Sequence, residues 1–457
     1  MGTVLIWQWG LVIGSSIVLY AISPVAVSGE NFFAGTSRTH EQPGFLTLTF
    51  SLVISWIFAK SITNASNLGL EFGFVGGLAY ATYYLSFLVA GVVIYKIRTV
   101  LRYRSIHDFL MTRFGRSAVL VFSALISIRL LNEVWSNTMV IGTYFGEKGS
   151  PQFMAAVLVF SVLTLAYSMK GGLRSSLITD MIQMVLFGVL LFVILGVILP
   201  RGGGLASMVT SGHWTMASGL NLLVAAFLQV FSYPFHDPVL TDRGFITDPR
   251  TTLKSYLTAT VLGFAAILLF SLVGIYARQQ GFTGQAAVAV SRTLGLGMML
   301  ITNFIMITSA ASTLDSAFAS VAKLGVVDLG SRHRQSVTRG RIVMGITAVA
   351  GSLPLVFSPE IISATTVSGT MVIGLAPVFL LWKWHAPGMS FHLSVGTGIL
   401  SGVILVFGLL PHSWYLTQGK YAGLLSINLY GTGLCFLLYT VPLLLYKPRE
   451  VLERVPV

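Results

Sequence analysis

Long apolar runs dominate this sequence, and thirteen stretches of roughly twenty mostly apolar residues follow one another along the chain. A helix needs about 20 such residues to cross the hydrocarbon core of a bilayer. Only 9% of the residues are charged, whereas a soluble domain usually carries about 25%. We therefore predict an all-α membrane protein with spans near residues 3–23, 44–68, 74–95, 118–144, 152–168, 175–199, 217–236, 255–277, 295–325, 342–357, 361–384, 390–410 and 421–445.

The basic residues alternate between the connections of these runs. Of the 28 Lys and Arg residues, 20 fall in every second connection and 5 in the others, which predicts an outside N-terminus and a cytoplasmic C-terminus in the cell membrane. The net charge of +13 therefore reflects topology and does not indicate nucleic-acid binding. The predicted inside set is Arg38, Lys96, Arg98, Arg102, Arg104, Arg113, Arg116, Lys170, Arg174, Arg243, Arg250, Lys254, Arg332, Arg334, Arg339, Arg341, Lys383, Lys447, Arg449 and Arg454.

The segments between the apolar runs contain no pattern typical of a soluble domain. Met1–Ile22 lacks the basic start and the cleavage site of a secretory signal, so we expect it to be a span. A single cysteine, Cys435, excludes an intrachain disulfide. We expect residues 1–457 to form one transmembrane domain whose partners are the lipid bilayer and a small solute, without an obligatory protein partner.

Polar residues inside two of the runs suggest an ion site, because polar groups in hydrocarbon usually have a function. Ser309, Ser312, Thr313 and Ser316 share one face of the ninth run, and Asp315 lies at its edge. Such oxygen atoms suit a hard cation such as Na⁺, although small residues can also form a simple packing stripe. In the sixth run the residues on one face are Ser176, Thr179, Asp180 and Gln183, where Asp180 could relay a cation or pair with Lys170 or Arg174.

Other polar residues suggest a solute site. Lys60 lies deep in the second run and needs a carboxylate, a group of carbonyls or an anionic ligand. Arg129 and Glu133 are four residues apart in the fourth run, so they either neutralise each other or contact a solute. The same face of that run carries Asn132, Ser136 and Asn137.

The end of the seventh run contains two prolines that a regular helix does not tolerate. Pro234 and Pro238 flank His236 and Asp237, which predicts either a helix terminus or a broken helix that lines a binding cavity. Taken alone, His236 is more typical of a hydrogen-bonded histidine in a helix bundle than of a ligand.

Two segments resemble the sodium:solute symporter family, which includes proline, sugar and urea or polyamine carriers. The segment 167–183 is similar to the family signature in its Tyr-Ser start, its Gly-Gly pair and its Thr179-Asp180-x-x-Gln183 series. The segment 309–316, Ser-Ala-Ala-Ser-Thr-Leu-Asp-Ser, resembles the stretch that forms the family's sodium site. Weaker similarity is present in 33–38 and 106–115, so that the resemblance covers about residues 30–330.

The resemblance implies an inverted repeat of five plus five helices with broken helices, over about 44–199 and 217–384. The flanking helices would be 3–23, 390–410 and 421–445. It further implies a sodium site formed by the hydroxyls of Ser312 and Thr313 and the carbonyls of Ser309, Ile54 and Ile57. Asp180 matches the family aspartate thought to help the ion leave inward.

The second run departs from the family pattern at two positions. Trp56 stands where family members often carry a polar or acidic residue beside the sodium-binding carbonyls. Lys60 stands where sugar carriers use a polar side chain to contact the substrate, and its positive charge could favour an anionic substrate or replace part of the cation's role.

These observations predict a symporter that couples inward Na⁺ flow to uptake of a small organic solute. The candidate solute contacts are Ser55, Trp56, Lys60, Glu133, Asn137, Tyr233 and His236. Two alternatives are a proton-coupled carrier that uses Asp180, Glu133 or His236, and a solute sensor that does not transport. The sequence contains no metal-hydrolase motif, no nucleophile elbow and no phosphate-binding loop, so neither an enzyme nor an ATP-driven pump is expected.

Overall fold

A computed structural model describes residues 2–37, 41–330, 336–357 and 360–445, and this part of the chain is entirely helical. Ten helical segments are long and apolar enough to cross a membrane, and a bent helix pair forms an eleventh. The first half contains α1 Gly2–Ile22, α2 Gly29–Ala34, α3 Phe45–Trp56, α4 Ala59–Phe72, α5 Phe74–Ala81, α6 Ser86–Thr99, α7 Ile106–Thr143, α8 Pro151–Gly171, α9 Leu173–Arg201 and α10 Gly204–Val209.

The second half also combines long helices with interrupted ones. It contains α11 Leu220–Gln229, α12 Pro238–Arg243, α13 Pro249–Gln279, α14 Ala286–Thr293, α15 Leu296–Lys323, α16 Val337–Ser352, α17 Ser363–Met371, α18 Leu375–Leu380, α19 Gly388–Val406 and α20 Ala422–Leu445. A single π-helical turn, Leu324–Asp328, extends α15.

Three of the thirteen predicted runs are interrupted helices in the structure. The run 44–68 is divided into α3 and α4, which meet at an angle of 58°. The run 217–236 gives only the ten-residue α11, followed by a 3₁₀ turn at Tyr233–His236, because Pro234 and Pro238 cannot continue an α-helix. The run 361–384 is divided into α17 and α18. These interruptions confirm the prediction of broken helices.

Side-chain contacts join the predicted inside connections to one another. Arg98 donates to the carbonyls of Gly244 and Thr247, and Arg341 donates to the carbonyl of Met169. At the opposite end, Lys420 pairs with Glu71 at 2.7 Å. Each of these contacts joins two segments that the distribution of basic residues assigns to the same side of the membrane. Arg38, Arg332, Arg334, Lys447, Arg449 and Arg454 of that set lie outside the described residues.

Helices α4 and α13 pack so closely that only glycine fits between them. A Cβ atom on Gly274 would lie 1.7 Å from the carbonyl oxygen of Ser66, and one on Gly69 would lie 2.4 Å from that of Ser271. Close backbone approach of this kind is how membrane helices gain packing energy without a hydrophobic driving force. The contact fixes the second half of the broken span against a long, continuous helix.

We predict that Gly274→Val strongly destabilises the protein, because the added methyl groups must push two helix backbones apart. Overpacking typically costs about 1–3 kcal/mol and more where backbones clash. The expected result is a lower melting temperature in detergent, or loss of the monodisperse peak in size-exclusion chromatography. Gly188→Val is the matched control, since a Cβ at Gly188 in α9 meets nothing within 4 Å. Equal melting temperatures for the two variants would contradict the prediction.

Candidate ion and solute sites

Two broken helices bring main-chain groups and side chains together in the middle of the bundle. Between α3 and α4, Ile57 and Phe58 leave the helical conformation, with φ/ψ of −77°/68° and −60°/147°. Within the described part of the chain, no donor contacts the carbonyl oxygens of Ile54 and Ile57. Free carbonyls at membrane depth are tolerated where they line a binding site.

Asp180 lies next to this break and connects three helices. Its carboxylate accepts hydrogen bonds from Ser51 of α3 at 2.5 Å and from Ser312 of α15 at 2.5 Å. Ser55 of α3 also donates to it at 3.2 Å. Asp180 is fully buried and belongs to α9, so this single carboxylate holds α3, α9 and α15 together.

The cationic partner of Asp180 is Arg243 of α12, at 3.1 Å. The same guanidinium donates to Ser51 at 2.7 Å and to Ser316 at 2.9 Å. Arg243 is fully buried, so its assignment to an inside loop is wrong. Helix α12 resumes after Pro238 and carries Arg243 back into the bundle. Of the two cations considered for Asp180 from sequence, Lys170 instead donates to the carbonyl of Tyr20.

A second carboxylate, Asp315 of α15, is buried beside this group. Thr179 donates to it at 2.9 Å and Ser316 contacts it at 3.4 Å. We call Asp180, Asp315 and Arg243, with the hydroxyls of Ser51, Ser55, Ser176, Ser312 and Ser316, the ion cluster. Two carboxylates and one guanidinium leave one negative charge uncompensated, and a buried charge without a partner is costly. The ion cluster therefore requires one additional positive charge, either a monovalent cation or a proton.

The other residues of the predicted sodium site lie on the same face of α15. The Thr313 hydroxyl donates to the carbonyl of Ser309 at 2.9 Å, so the hydroxyl oxygen of Thr313 keeps its lone pairs. Among the described residues, the Ser309 hydroxyl and both amide atoms of Gln183 are buried without a hydrogen-bond partner. Ser55, predicted as a solute contact, belongs to the ion cluster, since it also contacts Ser316 at 3.1 Å.

A second buried group contains four charged side chains, which we call the charged quartet: Lys60, Arg129, Glu133 and Asp237. Glu133 accepts from Lys60 at 2.6 Å and also pairs with Arg129. Arg129 donates to Asp237 at 2.9 Å. Two cations and two carboxylates sum to zero, so Lys60 does not present the free positive charge that its sequence position suggests. The spacing of Arg129 and Glu133 was interpreted as mutual neutralisation or as solute contact. Both interpretations are compatible with this arrangement, because a neutral pair can still contact a solute.

Neighbouring polar groups fix the geometry of the charged quartet. Trp56 donates its indole N–H to Asp237 at 2.9 Å, and Asn137 donates to Glu133 at 2.8 Å. The side-chain amide oxygen of Asn137, Oδ1, accepts from the main-chain N–H of Lys60 at 3.3 Å. This bond satisfies a donor that the helix break leaves without a helical partner. Trp56 and Asn137, both predicted as solute contacts, thus hold the charged side chains in position.

Three buried nitrogen atoms in this region make no hydrogen bond within the described chain: Nε and Nη1 of Arg129 and Nε2 of His236. Of these, Nη1 of Arg129 lies against Glu133 as an ion pair. The Nδ1 atom of His236 lies 2.5 Å from the carbonyl oxygen of Tyr233. A carbonyl can only accept, so Nδ1 carries the hydrogen and the neutral ring leaves Nε2 as an acceptor. Arg129 Nε, in contrast, can only donate.

Aromatic rings separate the charged quartet from a small central cavity. The rings of Trp56 and Tyr233 meet edge to face at 5.8 Å, and Phe58 lies under Lys60 at 4.7 Å. The cavity has a volume of about 10 Å³, which is about the space of a single water molecule. The solute region is therefore closed in this conformation. The cavity is lined by Trp56, Phe58, Ser61, Tyr80, Tyr83, Tyr84, Tyr233 and Thr365.

Three important residues were not among the predicted site residues: Arg243, Arg129 and Asp237. Arg243 was counted as a loop residue because a short helix after a proline resembles a connection. Arg129 and Asp237 each lie beside a predicted contact, Glu133 and His236 respectively, and the signal that could have found them is a charge inside or next to an apolar run.

Comparisons with known proteins identify a family and a fold. A model of the sodium:solute symporter family matches residues 42–353. A Na⁺-coupled sialic acid symporter in a substrate-bound, outward-open state has a TM-score of 0.69 at 14% identity, with 98% of each chain covered. Mhp1, a nucleobase-cation-symport-1 transporter with bound bromovinylhydantoin, has a TM-score of 0.55 at 12% identity, covering 92% of this chain and 96% of the other.

A third solved structure has the same fold. MhsT in complex with L-phenylalanine gives a TM-score of 0.54 at 16% identity, with 86% of this chain and 98% of the other covered. No curated protein matches the sequence. At these identities the solved structures establish the fold, and the family match rests on the sequence itself.

Proposed function

This chain belongs to the sodium:solute symporter family, whose model matches more than half of it, and we propose that it couples inward Na⁺ flow to uptake of a small organic solute. The family and fold make it a multi-pass, cation-coupled solute transporter. The observation that supports Na⁺ coupling is the uncompensated negative charge of the ion cluster, which lies beside free carbonyls and hydroxyls. One monovalent cation there would make the region neutral.

The proposed Na⁺ ligands are the carbonyls of Ile54, Ile57 and Ser309 and the hydroxyls of Ser312 and Thr313. Ser312 uses its hydrogen to bond Asp180, so its oxygen lone pairs face away from that bond and are free for an ion. Asp180 would then attract the ion toward the cytoplasmic side and assist its exit. Hard cations prefer oxygen ligands of this kind.

The proposed solute site uses Trp56, Lys60, Glu133, Asn137, Tyr233 and His236, to which the structure adds Arg129 and Asp237. All of these side chains are buried. Ser55 is reassigned to the ion cluster because its contacts are with Asp180 and Ser316. The two sites are adjacent, since Ser55 and Trp56 are consecutive residues at the helix break.

Alternating access is supported by cavities at both ends of the bundle. One, of about 790 Å³, opens at the basic end between residues that include Arg104, Asp242 and Lys323. The other, of about 290 Å³, lies at the opposite end near Asn64, Glu71 and Lys420. We propose that the basic end is cytoplasmic and that the closed centre opens to one cavity at a time. The two repeats, about 44–199 and 217–384, would move relative to each other.

The first test is thermal stability of the detergent-purified protein in NaCl, compared with equimolar choline chloride. An ion that binds only the folded state stabilises it by about 2.7 kcal/mol at a hundredfold excess over its Kd. We expect a Na⁺-specific rise in melting temperature that is absent in Ser312→Ala/Thr313→Ala. Ser161→Ala/Thr164→Ala, on α8, is a control with the same chemical change outside the ion cluster. No difference between NaCl and choline chloride for the wild type would reject Na⁺ coupling.

A proton-coupled carrier is the second candidate, because a proton on Asp180 or Asp315 would also remove the surplus charge. Under this alternative, acid pH drives uptake into vesicles without Na⁺. Uptake driven by a Na⁺ gradient at constant pH would reject it.

A further inference from the structure

Two of the buried nitrogens without a hydrogen bond, Nε of Arg129 and Nε2 of His236, require two different chemical groups. Arg129 Nε requires an acceptor and His236 Nε2 requires a donor, and both atoms are buried where water does not reach them. Both side chains pack on the ring of Tyr233, with the Arg129 guanidinium 5.6 Å and the His236 ring 4.8 Å from its centroid. A ligand that satisfies both must therefore carry an acceptor and a donor, each placed to reach a group that packs on the Tyr233 ring.

The charge balance restricts the ligand further. The charged quartet is neutral as it stands, so adding a simple anion or a simple cation would leave a net charge buried at this depth. The ion cluster, in contrast, has its own surplus charge and takes its own cation. A solute that carries one positive and one negative group keeps the quartet neutral, and can exchange pairing partners with Lys60, Arg129, Glu133 and Asp237.

The surrounding rings set the remaining properties of the ligand. Trp56, Phe58 and Tyr233 cover the charged quartet, and the cavity beside them holds only about 10 Å³. A polyhydroxylated solute would need many uncharged donors and acceptors, whereas this region is formed mainly by rings and by charges that already pair. Rings of this type favour a small apolar group on the solute and attract an ammonium group to their faces.

We propose that the solute is a small zwitterion with a carboxylate and an N–H-bearing ammonium group on the same carbon atom. This inference rests on the proposed transport function and specifies the substrate class of the same site. The carboxylate binds Lys60 and the Nε of Arg129. The ammonium group donates to His236 Nε2 and to the carboxylates of Glu133 and Asp237. Binding requires Phe58 and Trp56 to move aside, because the cavity is too small for any solute in this conformation.

The test measures melting temperature in NaCl with matched sets of probes. Each set contains an α-amino acid, the amine that lacks its carboxylate and the acid that lacks its amino group. Suitable sets start from L-alanine, L-leucine and L-phenylalanine, and glucose and glycine betaine complete the panel. We expect a saturable rise in melting temperature with at least one amino acid, and none with its amine, its acid, glucose or glycine betaine. Glycine betaine is excluded because its trimethylammonium group has no N–H to donate.

Two further measurements separate this inference from the proposed ion coupling. His236→Leu should weaken binding of the stabilising amino acid about tenfold or more, because a buried acceptor is lost, while the Na⁺ response remains. Gln229→Leu, a buried change outside the quartet, should weaken it much less. Stabilisation by an acid, an amine or a sugar, or by no amino acid, overturns the zwitterion assignment even if Na⁺ stabilises the protein. Amino-acid binding without any Na⁺ effect retains the assignment and rejects sodium coupling.

Discussion

Replacing Arg243 with glutamine is expected to destabilise the protein strongly in the absence of Na⁺. Arg243 supplies the only positive charge among the ion cluster side chains, so the substitution leaves Asp180 and Asp315 buried together without a compensating cation. Removing one partner of a buried pair typically costs about 3–5 kcal/mol. The melting temperature in choline chloride should therefore fall sharply, and the additional stability conferred by NaCl should exceed that of the wild type.

The double variant Arg243→Gln/Asp180→Asn provides the control for this prediction. It retains the one surplus negative charge of the wild type, whereas Arg243→Gln alone has two. We expect the double variant to be more stable than the single variant in choline chloride. If Arg243→Gln melted at the wild-type temperature in choline chloride, the assignment of Arg243 as an internal counter-ion would be wrong.

Glu133→Gln should give the other large effect, because it removes the carboxylate that both Lys60 and Arg129 contact. Two cations would then share Asp237 alone in a buried region. We expect the free energy of unfolding to fall by about 3–5 kcal/mol. The double variant Lys60→Met/Glu133→Gln restores neutrality and should recover a large part of this loss. Thermal denaturation of the two single variants and the double variant forms the cycle that measures the coupling.

A surface pair provides the comparison for this cycle. Lys420 and Glu71 pair at 2.7 Å, but their side chains are 54% and 39% exposed. Exposed pairs contribute about 0–1 kcal/mol, so Lys420→Met and Glu71→Gln should each change the melting temperature only slightly. If variants of the exposed pair lowered the melting temperature as much as Glu133→Gln does, burial would not explain the contribution of the charged quartet to stability.

Apolar length and the scarcity of charge were sufficient to predict the membrane class and most helix positions. They did not show which spans are interrupted, because a run of apolar residues does not reveal whether its main chain is broken. At Ile57 and Phe58 nothing in residue type alone marks the break, and only the resemblance to the family suggested it. Pro234 and Pro238 marked the other break directly.

The pairing of charges was harder to predict than their presence. The sequence placed Lys60, Glu133 and Asp180 inside runs, and their burial agrees with this. It did not identify Arg243 as the partner of Asp180, because the two residues are 63 positions apart and belong to different helices. Nor could it establish that Lys60 is neutralised, since that depends on how α4 and α7 pack. Only tertiary contacts decide whether a buried charge is available to a ligand.

The helix break between α3 and α4 has a thermodynamic consequence. Ser55 belongs to the ion cluster while Trp56 and Phe58 contact the charged quartet, so the four consecutive residues 55–58 connect the two proposed sites. A rearrangement of this short segment by one ligand changes the free energy of binding the other. Linkage then requires reciprocity: whatever factor Na⁺ contributes to solute affinity, the solute must contribute to Na⁺ affinity. Coupling between Na⁺ binding and solute binding would thus depend on this one irregular segment and would not require changes elsewhere in the helix bundle.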